Sequence, residues 1–145
     1  MAEVQFRFRD AAPVADAMVT VDAFAAQGEA SAVRIEPGDE VRDLLPHLAR
    51  LRLVEVNFPA FTDGRGMSAA RILREAGYAH ELRAVGEVLV DQLAAMRRCG
   101  FDSFAPEVPI DPADAAAALA RWPAVYQNAA DGRSPLWALR HGDAA

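Results

Sequence analysis

Leu53-Val54-Glu55-Val56-Asn57-Phe58, followed by Pro59-Ala60-Phe61-Thr62-Asp63-Gly64-Arg65-Gly66-Met67-Ser68 and then Ala69 to Gly77, is the stretch that decides the fold. Its first six residues read as a strand, and Pro59 to Gly66 read as a loop. A helix follows, with Ala69, Ile72, Leu73 and Ala76 on one face and Gly77 as its C-terminal stop. Arg71, Arg74 and Glu75 form the polar, solvated side of that helix. A strand leading through a short loop into a helix is half of a βαβ unit, and the surrounding sequence repeats the pattern.

Upstream, Ala32-Val33-Arg34-Ile35 is a short β-branched run closed by Pro37 and Gly38. From about Asp39, Val41, Leu44, Leu45, Leu48 and Leu51 recur at spacings of three and four, which predicts a helix with one apolar face. Downstream, Glu81 to Ala84 reads as a strand, Val88 to Arg98 as a helix ended by Gly100, and Phe101 to Phe104 as another strand. Asp111 and Pro112 open an alanine-rich helix through about Trp122, proline being suited to the first helical turn. Residues 1–30 are harder to phase: Val4, Phe6 and Phe8 alternate as in a small strand or hairpin, and Val19 to Gln27 suits a helix stopped by Gly28. Residues 128–145 read as a loop-like tail.

Strands alternating with helices across short connections predict a single α/β domain over 1–145. The expected architecture is an open, mainly parallel sheet of about four to five strands flanked by helices in three layers. A half (β/α) barrel completed by dimerisation is the alternative.

Composition narrows the function classes. The 145 residues are 52% hydrophobic and 25% charged, which is globular composition. The net charge of −6 offers no cationic footprint for a nucleic-acid backbone. The chain contains no lysine, so Schiff-base chemistry and a P-loop lysine are excluded, and any fixed anion would be held by guanidinium forks. Cys99 stands alone and is expected as a small buried hydrophobe; no intramolecular disulfide or thiolate-held cluster can form within one chain. His47, His80 and His141 lack ligand spacing, so no metal or iron–sulfur site is expected, and no organic cofactor is identified. Neither a leader nor a run of about 18 apolar residues is evident, which predicts a cytoplasmic protein without membrane contact. There is no nucleophile-elbow serine, and no carboxylate pair whose spacing implies acid–base work.

The loop after Phe58 is the place to look for chemistry, because ligands in open α/β sheets bind at the carboxyl ends of strands. Asp63, Gly64, Arg65, Gly66 and Ser68 combine close backbone approach, helix N–H groups and a fixed positive charge, which suits a small anion. An ordinary Asp63-Gly64 turn with Ser68 as the helix cap accounts for the same residues. Arg83 is anomalous on a parallel strand. On a central strand it would approach the same rim as Arg65; on an edge strand Glu81 and Arg83 would simply be solvated. Asp91, Gln92 and Asp102 are candidates for supporting such a site. Trp122, Tyr126 and Trp137 suggest a covering flap or a docking surface, and hence self-association or a partner protein.

Phe58 to Gly66, Ser68, Ala70-Arg71 and Leu73-Arg74 together resemble a bacterial family. So do Glu81 to Gly86, Asp91-Gln92 and Cys99-Gly100-Phe101-Asp102, with a weaker echo at Tyr126-Gln127. It is domain-of-unknown-function family 934, whose members are described as associated with sulfite or nitrite reductase. Met67 departs from the family, which usually has Tyr there. The resemblance implies an oxidoreductase setting in sulfur or nitrogen assimilation, beside a siroheme reductase, and supplies no catalytic residue. An accessory subunit, a small enzyme holding an oxyanion and a structural interaction module all remain open. An enzyme would enclose a pocket of several hundred cubic ångströms, as ligand pockets do, whereas a docking subunit needs only an open patch.

Overall fold

The computed structural model describes residues 3–121 and Arg133. Trp122, Tyr126, Gln127, Trp137, His141 and, apart from Arg133, the tail from Asn128 lie outside these residues. Six strands form one sheet in the order β1-β6-β5-β4-β3-β2. They are β1 (Phe6–Arg7), β2 (Met18–Thr20), β3 (Ala32–Ile35), β4 (Leu53–Phe58), β5 (Glu81–Gly86) and β6 (Ser103–Pro106). β2 to β6 are parallel neighbours in sequence order, and β1 adds antiparallel to β6. The sheet is open, with β1 and β2 as its edges, and carries one strand more than the four or five expected.

The helices are α1 (Val21–Ala26), α2 (Arg65–Glu75), α3 (Leu93–Cys99) and α4 (Pro112–Ala120). Thr20 caps α1 by accepting from the Ala23 N–H, so β2 runs straight into α1 where the pattern alone suggested one helix from Val19. The expected helix after Asp39 is a 3₁₀ segment, Val41–His47, with Pro46 inside it, whose ring in an α-helix would clash with the carbonyl of Arg42 four residues before. Its apolar spacing still serves burial: Val41, Leu44 and Leu51 are all in the core. Gly77 and Gly100, at φ +98° and +113°, terminate α2 and α3 as expected.

Because the parallel strands advance one place at a time, right-handed crossovers put the described helices on the same face. α1 packs on the 3₁₀ segment, that segment on α2, α2 on α3 and α3 on α4. Val33, Ile35, Val54, Val56, Phe58, Leu82, Ala84 and Phe104 point toward this layer and share one core with Phe24, Leu44, Leu73, Leu93 and Met96. Among the described residues the helices therefore form one layer on one face of the sheet. The other face is buried as well: Leu53, Glu81, Val85, Ser103 and Ala105, which alternate with the core-facing residues, are at most 4% exposed.

Candidate functional site at the carboxyl ends of the strands

β4 and β5 pair along their whole length, from Leu53 with Glu81 to Phe58 with Gly86, so their carboxyl ends are adjacent as the parallel reading requires. The loop after β4 is tied to the one after β5 by side chains. Glu87 Oε2 accepts from the Phe61 N–H at 2.7 Å, and Gln92 Nε2 donates to the Phe61 carbonyl at 2.7 Å. The same Gln92 side chain accepts from the Leu89 N–H at 3.2 Å. Gly86, at φ +92°, permits this closeness, since a Cβ there would stand 2.7 Å from Asn57 Oδ1. Asn57 in turn donates to Glu36 at 2.7 Å, linking the end of β3, and the Glu107 N–H donates to the Gly86 carbonyl at 2.8 Å, linking the end of β6. Four strand ends are thus stitched into one rim.

Arg65 is the first residue of α2, at that rim and exposed. Asp63 holds it bidentately, with Nε at 3.0 Å and Nη2 at 2.7 Å, and also accepts from its backbone N–H. These hydrogen bonds hold the Asp63 carboxyl below its ordinary pKa and raise that of Arg65, so both stay charged and mutually neutralised. Gly64 occupies the helix cap with open space around it, and Ser68 lies in the fourth helical position, exposed, where it caps nothing. Gly66 is buried because α2 lies directly on β4. The cavity bounded by Glu36, Asn57, Arg65 and Gly66 is about 30 Å³, room for a water or two and far below the several hundred of a ligand pocket.

The other predicted residues separate. Arg83 is on a central strand, but its side chain is buried on the face away from the helices, so it does not join Arg65. The cause is parity: Arg83 lies opposite Glu55 and Ser103 and alternates with core-facing Leu82 and Ala84. It donates to Glu81 at 2.6 Å, and Arg7 from β1 donates to the other oxygen of Glu81 at 2.7 Å. Burial alone would raise the Glu81 pKa; the hydrogen bonds from Arg7 and Arg83 outweigh it and hold the carboxylate below its ordinary value. Asp102 is at the opposite, amino end of the strands, where Arg74, Arg9 and the Leu82 N–H converge on it. Asp91 is exposed on the rim, and Gln92 belongs to the stitching just described.

Arg74 corrects the reading of α2's polar face. It is largely buried, donating to the carbonyls of Gly100, Tyr78 and His80 at 3.0, 2.7 and 2.8 Å and to Asp102 at 3.1 Å. Arg71, four residues before Glu75, is exposed as expected. Sequence reading missed Glu87 and the outward side chain of Phe61; the one available signal was an aromatic residue inside a loop otherwise made of turn formers.

Among the described residues, no three His, Cys, Asp or Glu side chains are grouped to hold a metal, and no helix is long and apolar enough to cross a membrane. A family model described as a bacterial protein of unknown function, DUF934, matches residues 32–137. No curated protein and no solved structure matches the chain.

Proposed function

Since the chain belongs to the DUF934 family, we propose that it is an accessory protein of assimilatory sulfite or nitrite reduction, working by docking beside a siroheme reductase in the cytoplasm. The observation that carries the docking reading is the state of Arg65: the guanidinium beside the glycine loop is closed by Asp63, over a cavity of about 30 Å³. An oxyanion there would have to displace a bidentate carboxylate, so the loop is better suited to fixed shape than to anion capture. The sulfur or nitrogen setting comes from the family resemblance alone.

Titration of purified sulfite reductase with the full chain, followed by sedimentation or calorimetry, tests the reading. A saturable complex is expected, and its absence with both sulfite and nitrite reductases overturns it. Thermal-shift titration with sulfite, sulfate, nitrite and phosphate separates the alternative. Saturable stabilisation by one of these, abolished in Arg65→Ala, would favour a small enzyme that binds an anionic substrate.

A further inference from the structure

Large apolar side chains left in solvent are few among the described residues, and three of the four stand at one place. Phe61, Leu89 and Val108 are 47%, 38% and 75% exposed, on the loops after β4, β5 and β6. Those loops are the ones stitched together by Glu87, Gln92 and the Gly86 carbonyl. The Phe61 backbone is fixed at both its N–H and its C=O by side chains 26 and 31 residues away. An aromatic ring held outward on a fixed backbone loses little freedom when it is buried, which is how interface anchors gain affinity. Next to Val108, a cleft of about 430 Å³ runs between Val4-Gln5 and Pro106, with Glu3 and Glu107 on its walls.

The loops that carry this patch have charge of one sign. The three loops, residues 59–64, 86–92 and 106–111, contain Asp63, Glu87, Asp91, Glu107 and Asp111 and no basic residue. Arg65 at their border is neutralised by Asp63. We infer that the carboxyl-end rim is a docking face for a partner protein that presents an apolar segment flanked by arginine or lysine. The apolar part covers Phe61, Leu89 and Val108, and the cations meet Asp91 and Glu107. This rests on the docking reading above and assigns its surface.

The test places a photo-crosslinking amino acid at position 61, 89 or 108 of the full chain in the native cells, with Arg52 and Glu75, exposed at the amino ends of the strands, as control positions. Adducts from the three rim positions, mapping to an Arg- or Lys-flanked apolar segment, are expected. They should fall about tenfold in an Asp91→Lys, Glu107→Lys double variant that keeps the parent's melting temperature. If the captured chain is a sulfite or nitrite reductase, surface and function stand together. If it is another protein with such a segment, the surface stands and the reductase reading falls. Adducts only from positions 52 or 75, adducts only with a second copy of this chain, or none at the rim overturn the surface, whatever the titration of reductase shows.

Discussion

Gly66 of α2 lies so close to Phe58 of β4 that a Cβ on it would stand 2.6 Å from Phe58 Cζ and 2.8 Å from Val56 Cγ1. Both neighbours are fully buried strand residues, so neither can swing away cheaply. Gly66→Ala should therefore destabilise by about 1–3 kcal/mol despite alanine's better helix propensity. Gly64, with nothing within 4 Å and φ −80°, is the control. Its alanine variant should match the parent in urea unfolding, and equal stability of Gly66→Ala would refute the close packing of α2 on β4.

Arg74 and Arg71 are three residues apart on one helix and should behave oppositely. Arg74→Ala removes four hydrogen bonds and leaves Asp102 with Arg9 alone of its two cationic partners. A loss of about 2–4 kcal/mol is expected, from unsatisfied carbonyls and a weakened, mostly buried ion pair. Arg71→Ala breaks only an exposed 3.5 Å pair with Glu75 and should change stability by less than about 0.5 kcal/mol. Chemical denaturation of the two variants side by side decides the matter.

What the sequence revealed about this fold depends on how local the cause is. β3 and β4 match their expected bounds because short β-branched runs end at punctuating residues. α4 begins at Pro112 under an Asp111 cap whose side chain accepts from Ala113 and Asp114, a wholly local device. The N-terminal strands are two and three residues long and exist because β6 and β3 accept them as edges, a cause written elsewhere in the chain. The candidate site was legible as a place but not as an arrangement. Arg65 could be located on the rim from the loop spacing, whereas the separation of Arg83 depends on the facing of β5, and the burial of Arg74 on where Gly100 and Asp102 return.

Cys99 should be a slow thiol. Burial raises its pKa, and Arg71 and Arg98 offset this only in part. Because the thiolate is the reacting species, alkylation at neutral pH should run about tenfold or more below the rate in denaturant and climb with pH above about 9. Cys99 is half-buried against the core, short of the full burial expected of it. Stopped-flow labelling in both states measures the two rates, and equal rates would show that this position does not shield the thiol.

The Arg7–Glu81–Arg83 cluster should make stability depend on acid. Glu81 is buried, and its carboxylate accepts from Arg7, Arg83 and the Ser103 hydroxyl at 2.7, 2.6 and 3.2 Å. Its folded pKa lies below the ordinary value, so protonation is easier in the unfolded chain. The stabilisation is then fully present above the unfolded pKa, about 4.3, and is lost as pH falls through the lower folded value. Glu81→Gln leaves two guanidinium groups without their carboxylate and should lose about 3–5 kcal/mol at pH 7. The gap between parent and variant should narrow steadily below about pH 4, as the parent's own carboxylate takes up its proton. Urea unfolding at pH 7, 5, 4 and 3 gives that gap directly. A gap that stays constant down to pH 3 would mean that Glu81 acts through its shape and neutral hydrogen bonds, and that the charge of the cluster contributes nothing.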